Sequence, residues 1–177
     1  MSINVIGIDP SLSKTAIVIG SEHRKEKVFL ITSKPLGDSV CQRMSRFEQM
    51  VAGIMRTIRE NTDPLSVSRI FIENYSFGSK FAREALGEFG GILRWHLVEV
   101  DPQIVEVAPT TMKKFVTGKG NGDKDAVRMH CLKNWGYESQ GNDDADAYGL
   151  WRLGLCVCGL DDAMNQAQRE SVKKLCE

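Results

Sequence analysis

The sequence predicts a single mixed α/β domain in which three strands come first and helical crossovers follow. Three short apolar segments rich in β-branched residues lie near the start of the chain, and residues 10–13, with the turn composition Pro-Ser-Leu-Ser, separate the first two. Longer segments with apolar residues three and four apart then alternate with two further short apolar segments. This order is typical of a sheet that begins with antiparallel strands and continues through crossovers to parallel ones.

Strands are predicted at 3–9, about 14–20, 27–32, 69–73 and 103–107. The first two form a hairpin, and the third extends the same antiparallel sheet. The strand at 69–73 follows a helix, so we expect it to lie parallel to the first strand.

Helices are predicted at 40–61, 79–97, 123–135, 143–158 and, from a weaker pattern, 161–175; a short helix after Pro109 carries Lys113 and Lys114. The glycines at 87, 90 and 91 indicate that the helix at 79–97 packs closely against another backbone. We expect the three tryptophans to lie in the core and Asp161-Asp162 to cap the last helix.

Composition sets broad limits on function. The chain has 177 residues, which suits one domain, and 23 basic against 23 acidic residues, so the net charge neither indicates nor excludes nucleic acid. The five cysteines contain no C-x-x-C pair and fit no zinc or disulfide scheme. With no signal peptide or membrane span expected, we predict reduced thiols and a cytoplasmic location.

Four acidic residues lie at the ends of predicted elements, where a fold has no use for charge. They are Asp9, Glu73, Asp143 and Asp146. Parallel neighbours bring the ends of the first and fourth strands to one edge, and two acids three apart at a helix start share a face. The cluster needs a cation to neutralise it, and Mg²⁺ prefers such oxygen ligands.

These acids also have ordinary structural interpretations. Asp9 before Pro10 can start a turn, and an acidic pair near a helix N-terminus is favourable without any ligand. Asp144 points about 100° away from Asp143 around the helix, so we expect it to face solvent or to cap the helix.

Two divalent ions about 4 Å apart, held by carboxylates, can activate a water molecule and stabilise a leaving oxyanion. Asp9, short and fixed at a central strand end, would reach both ions, whereas Glu73 would reach one and Asp143 with Asp146 the other. We expect Mg²⁺, with Mn²⁺ as a substitute, and two ions per site.

Four segments of the chain follow one another in a distinctive order. They are Gly7-Ile8-Asp9-Pro10-Ser11-Leu12-Ser13, Ile72-Glu73, Gly118-Lys119-Gly120-Asn121-Gly122-Asp123-Lys124 and Asp143-Asp144-Ala145-Asp146-Ala147. Over residues 3–158 the chain resembles the RuvC-type Holliday junction resolvases of the ribonuclease H-like superfamily. The resemblance implies a mixed five-stranded sheet flanked by helices, a RuvC-like nuclease domain at 1–158 and a helical extension of the same domain at 159–177.

By position, the resemblance also implies roles for single residues. The catalytic, metal-binding acids would be Asp9, Glu73, Asp143 and Asp146. Lys113 and Lys124 would contact DNA phosphates, and Lys119 in the same glycine-rich segment is a further DNA-binding candidate. Either Tyr75 or Phe77, after the glutamate, would insert at the centre of the junction.

The function that the resemblance implies is a divalent-metal-dependent endonuclease of DNA recombination and repair. It would cut four-way or other branched DNA by paired symmetric nicks, as a homodimer formed through the helix at 79–97. The compact chain suggests a phage-borne member acting in the host cytoplasm. Ser11 departs from the family, which often has glycine there.

Three alternatives stay open at this point. The same fold serves ribonuclease H-like nucleases that act on flaps or RNA–DNA hybrids, and it serves junction-binding proteins that do not cut. An actin-like phosphate-binding domain also opens with Gly-Ile-Asp and a hairpin, but it needs a second phosphate loop and about twice this length.

Overall fold

The computed structural model describes residues 3–21, 24–37, 39–63, 65–74 and 83–177, with the backbone alone for Arg83 and Lys124. The strands are β1 (Ile3–Asp9), β2 (Lys14–Ser21), β3 (Arg24–Thr32), β4 (Val67–Glu73) and β5 (Val105–Val107). The helices are α1 (Val40–Asn61), α2 (Arg83–Leu97), α3 (Pro109–Thr117), α4 (Lys124–Trp135), α5 (Asn142–Val157) and α6 (Gln166–Cys176).

The strands form one five-stranded sheet in the order β3-β2-β1-β4-β5. β1 pairs antiparallel with β2 and parallel with β4, which confirms the predicted mixed sheet. Ile8 lies opposite Ile72 in the parallel pair, and Asp9 lies opposite Ala16 in the antiparallel pair. The end of β1, the end of β4 and the start of β2 therefore meet at one edge of the sheet.

Helices cover both faces of the sheet, because side chains alternate between the faces along each strand. On one face isoleucines of β1, β2 and β4 pack against α1 and α2, around Phe47 and Phe89. On the other face Val5, Val18 and Phe71 pack against α3, α4 and α5. Burying each such side chain contributes roughly 1.5–3 kcal/mol, so the two cores fix the central strands firmly.

Helix α5 lies directly on the sheet because glycines remove the side chains between them. A Cβ on Gly7 would lie 2.6 Å from the backbone nitrogen of Trp151 and would also collide with the carbonyl oxygen of Ala147. A Cβ on Gly154 would lie 2.7 Å from Cγ1 of Val5. Because these contacts are so close, α5 can cross β1 at only one position. That position determines where the N-terminus of α5 lies.

Helix α6 packs on α3 and α5 within the second core. Gln168 and Ser171 are buried, and Val172 and Leu175 contact that core. Lys174 Nζ lies 3.3 Å from Thr111 Oγ1, so α6 is also tied to the start of α3.

Several elements differ from the sequence-based prediction. β5 comprises only Val105–Val107, because the preceding turn folds back on the buried Asp101 carboxylate, which accepts from the Gln103 backbone N–H at 2.9 Å. α6 begins at Gln166 with Asn165 as its N-cap, so the prediction that Asp161-Asp162 caps it is wrong; Asp161 instead pairs with Arg152. Of the predicted helix 79–97, residues 79–82 lie outside the described residues.

Trp95 is a further correction to the sequence-based expectation. It was expected in the core with the other tryptophans, yet it is 74% exposed, whereas Trp151 is buried. Helical periodicity cannot distinguish a buried tryptophan from an exposed one. A wide apolar face gives the same sequence pattern whether a neighbouring element covers all of it or only part of it.

Candidate active site

The ends of β1 and β4 carry Asp9 and Glu73 side by side. The parallel register pairs Ile8 with Ile72, so the next residues are these two acids. Asp9 is only 8% exposed, and Glu73 is half-buried. The two carboxyl groups interact: the charge of Glu73 and a hydrogen bond with it both raise the pKa of Asp9.

Helix α5 brings the other two acids to the same edge. Asp143 and Asp146 lie in its first two turns; Asp146 is 7% exposed and Asp143 is half-buried. Both are near enough to Asp9 to interact with its charge. The structure therefore brings together the four acids that the sequence singled out.

The N-terminus of α5 is held by the acid between them. Asp144 is 3% exposed, and its carboxylate accepts hydrogen bonds from the Tyr137 hydroxyl at 2.9 Å and from the backbone N–H groups of Gln140 and Gly141 at 2.8 Å each. Tyr137 in turn stacks on Tyr148, with ring centroids 3.9 Å apart. The capping prediction for Asp144 is confirmed, and the solvent-facing one is wrong.

Burial and like charges act strongly on Asp9. Desolvation raises the pKa of the Asp9 carboxyl well above its ordinary value, and the neighbouring Glu73, Asp146 and Asp143 carboxylates raise it further. Ionised Asp9 is therefore costly in this site, and a cation near it would relieve that cost.

One cation from the protein lies at the rim of the cluster. Lys14, the first residue of β2, places Nζ 2.8 Å from Oδ2 of Asp143. The hydrogen bond and charge of Asp143 raise the pKa of the Lys14 ammonium, so it stays protonated. Lys14 was absent from the sequence-based site, although β2 starts at the edge where β1 ends and its first residue was therefore a candidate.

The segments that carry these residues are braced from outside the cluster. Arg46 of α1 donates to the Leu12 carbonyl in the β1–β2 turn and to Ser33 Oγ at 2.9 Å. Arg94 of α2 donates to the backbone carbonyl of Glu73 at 3.2 Å. The β1–β2 turn and the end of β4 are thus both held by arginines from the α1–α2 layer, which lies on one face of the sheet.

The donor set fits a hard divalent cation, since all four side chains offer carboxylate oxygens and the buried Asp9 gains from a positive neighbour. Within the described part of the chain, no three His, Cys, Asp or Glu side chains stand ready-made as a metal site. The carboxylates repel one another, and Asp143 is turned to Lys14, so ligand oxygens would have to move to receive an ion.

The predicted DNA-binding residues are placed only in part. Lys113 is a half-buried residue of α3, and Lys119 is exposed in the segment after it. α3 packs against α5 at Gly149, where an added Cβ would lie 2.8 Å from Val116 Cγ2. Lys124 begins α4, after the N-cap Asp123, and Tyr75 and Phe77 lie outside the described residues.

A family model described as crossover junction endodeoxyribonuclease RuvC matches residues 5–151. The chain belongs to the RuvC family. A RuvC of Allorhizobium ampelinum is 25% identical over 173 residues, covering 97% of both chains. One from Bartonella bacilliformis is 27% identical over 169 residues, covering 94% of this chain and 96% of its own. These relatives are bacterial, and the phage-borne origin stays a prediction.

Solved RuvC structures share the fold. The Thermus thermophilus RuvC structure has a TM-score of 0.62 at 16% identity and covers 89% of this chain and 97% of its own. The same RuvC in complex with a Holliday junction substrate has a TM-score of 0.63 at 15% identity, and the match covers 84% of this chain and 90% of its own. The predicted ribonuclease H-like fold is confirmed.

Membership of the RuvC family supports a Holliday junction resolving endonuclease and implies dependence on a divalent metal. Among the described residues, no helix is both long and apolar enough to cross a membrane.

Proposed function

We propose that this RuvC-family chain resolves four-way DNA junctions by metal-dependent hydrolysis at Asp9, Glu73, Asp143 and Asp146. The observation that carries the proposal is the meeting of these acids at one sheet edge, where burial and like charge raise the pKa of Asp9. A fold gains nothing from such a cluster, so its presence supports a bound cation and a function.

The four acids divide the work by position. Asp9 would help to hold both ions, because its carboxyl interacts with all three other acids; Glu73 would hold one ion, and Asp143 with Asp146 the other. When bound, Mg²⁺ or Mn²⁺ supplies acidified water and neutralises phosphate charge. Asp144 and Tyr137 hold the α5 N-terminus, so that Asp143 and Asp146 stay at the sheet edge where Asp9 lies.

The DNA backbone would approach over α3 and the segment that follows it. Lys113, Lys119 and Lys124 all lie between the start of α3 and the start of α4, beside the catalytic helix. We assign these lysines to phosphate contacts, with Tyr75 or Phe77 at the junction centre. Binding through such contacts weakens steeply as salt rises.

A second copy of the chain would explain paired cuts, and α2 offers a surface for it. Gly87, Gly91 and Trp95 follow at intervals of four on this helix and are all exposed. Within the described residues, a Cβ on either glycine would meet no heavy atom beyond its own helix within 4 Å. We infer that two copies of α2 cross here, because glycines let backbones approach and Trp95 adds a large apolar contact.

Residues 159–177 belong, in this proposal, to the nuclease domain. The reason is that α6 buries Gln168 and Ser171 in the same core that holds α5. We also propose a cytoplasmic location, since the five cysteines are all unpaired.

The first test is cleavage of an end-labelled synthetic four-way junction with Mg²⁺, beside matched duplex, flap and RNA–DNA hybrid substrates. We expect symmetric nicks in opposite strands of the junction. Asp9→Asn should abolish cleavage and leave junction binding intact or tighter, because it removes a metal ligand and a negative charge near phosphates.

The outcomes separate the rival functions. Full activity of Asp9→Asn would contradict the assigned site. A preference for flaps or hybrids would keep the four acids and replace the substrate, whereas tight junction binding without cleavage in wild type would indicate a binding protein.

A further inference from the structure

The contact between Lys14 and Asp143 is not explained by the catalytic chemistry described above. Lys14 Nζ lies 2.8 Å from Asp143 Oδ2, within the range of a charge-assisted hydrogen bond. The two groups come from different elements, the first residue of β2 and the first turn of α5. The fold therefore brings a permanent positive charge onto one of the proposed metal ligands.

Asp143 differs from the other acids in how it can be reached. Its side chain is 27% exposed and that of Lys14 is 39% exposed, whereas Asp9 and Asp146 are buried. The contact thus lies at the rim of the cluster, where the lysine can leave for solvent without breaking the core. The long, flexible lysine stem makes such a movement inexpensive.

We propose that Lys14 is a built-in counter-ion that competes with the divalent cation for Asp143. This inference rests on the metal site proposed above. The same carboxylate oxygen cannot keep the ammonium at 2.8 Å and also join a divalent ion without like charges coming close. Metal binding must therefore move Lys14 away, and the free protein binds the ion more weakly than its carboxylates alone would.

The size of the effect follows from the exposure of the pair. Half-exposed ion pairs contribute modestly, because water and salt screen them. We therefore expect loss of the ammonium to tighten divalent-ion binding by about two- to five-fold, the change that corresponds to such a pair. The same loss should lower thermal stability in chelator, since the acidic cluster then lacks its counter-ion.

The test is a calorimetric titration of the full chain with Mn²⁺, and in parallel with Mg²⁺, in the absence of DNA. Lys14→Met keeps most of the side-chain volume and removes the charge, and Lys14→Gln serves as a second variant should the first fold poorly. Lys173→Met is the matched control. It removes the same single charge, but from a lysine that pairs with Glu177 on the exposed face of α6.

The expected result is tighter binding in both Lys14 variants and unchanged binding in Lys173→Met. In an Asp143→Asn background, the gain from Lys14→Met should shrink, because the contested carboxylate is gone; this double-mutant cycle isolates the pair. A gain of full size in that background, or no gain in the wild-type background, overturns the proposal.

The two proposals fail in different ways. Wild-type protein that takes up no divalent ion at millimolar concentration contradicts the metal site itself. Wild-type protein that binds the ion, with Lys14→Met binding it equally well, overturns the role of Lys14 alone. If Lys14→Met loses cleavage at saturating Mg²⁺ while its metal affinity is unchanged, the counter-ion role of Lys14 is likewise overturned, and Lys14 is assigned to DNA binding.

Discussion

At the scale of single residues, the candidate site contains acidic side chains in positions where their negative charge lowers the stability of the fold. Asp9 is nearly fully buried beside three other acids, and its carboxyl pKa is raised first by desolvation and then by Glu73. Between the unfolded and folded pKa values the folded protein holds a proton that the unfolded chain has lost. Stability therefore falls as pH rises through that window and stays lower above it.

Asp9→Asn should accordingly raise the melting temperature at neutral pH in the presence of a chelator. A gain of about 1 kcal/mol corresponds to roughly 2–4 °C for a chain of this size. Calorimetric melts of both proteins from pH 4 to pH 8 would measure it, and the pH dependence of the variant should be flatter. A variant that melts below wild type at pH 7 would contradict the charge cost inferred for Asp9.

Asp144 and Tyr137 form the second residue-scale feature, a buried carboxylate that holds the start of α5. Tyr137→Phe removes one of three donors and should lower the free energy of unfolding by about 0.5–1.5 kcal/mol; Asp144→Ala leaves three donors unmet and should cost more. Denaturant unfolding measures both. If both variants lose the same free energy of unfolding, the backbone N–H groups of Gln140 and Gly141 do not depend on Asp144.

At the scale of elements, the position of α5 on the sheet decides where two of the four acids lie. Gly7 allows the backbones of β1 and α5 to touch, and Gly154 lets the α5 backbone lie against the Val5 and Phe71 side chains. Because the obstruction at Gly7 is backbone, a side chain there could be accommodated only by displacing the helix. The geometry of the four-acid cluster therefore depends on a glycine that carries no functional group.

Gly7→Ala should destabilise the protein by at least about 2 kcal/mol and abolish cleavage, since α5 must move away from Asp9. Gly53→Ala in α1 is the matched control. Among the residues that the structure describes, its added Cβ meets only Ile31 Cγ2, at 3.4 Å, so the helix preference for alanine should stabilise the protein by about 0.5–1 kcal/mol. Chemical denaturation and junction cleavage measure both effects, and normal activity of Gly7→Ala would contradict the close packing.

At the scale of the whole molecule, the sheet edge and the outer face of α2 are linked. Arg94 points inward to the Glu73 carbonyl and pairs with Glu106, while its neighbour Trp95 points outward. A second copy seated on Trp95 would thus press on the helix that holds the end of β4. In the proposed dimer, the interface and the Arg94 contact that holds the end of β4 would therefore share a single helix.

Trp95→Asp should shift the protein from dimer to monomer at micromolar concentration, and paired nicks should give way to few single nicks, because a buried charge in an apolar interface is costly. Sedimentation velocity and junction cleavage would measure this. Leu65→Asp is the control, since Leu65 is 88% exposed before β4 and lies on no proposed interface. A dimeric Trp95→Asp protein would place the interface elsewhere.

Much of the fold could be predicted from sequence, because it depends on local patterns. The helix at 40–61 was predicted with its observed bounds, since its apolar spacing is regular and Ser39 with Gln42 forms a capping box. The start of α6 and the length of β5 were not predicted, because the Asp161 and Asp101 side chains pair with arginines of other elements, Arg152 in α5 and Arg69 in β4.

The sequence by itself determined which acids form the cluster, because Asp9 and Glu73 end apolar strands and Asp143 and Asp146 open a helix. Only the tertiary structure decided their neighbours: Lys14 on Asp143, buried Asp144 and an exposed Trp95. The physical reason is that periodicity and end positions are properties of nearby residues. Neighbours across the fold depend on how α5 and α2 cross the sheet, which close packing of distant residues settles.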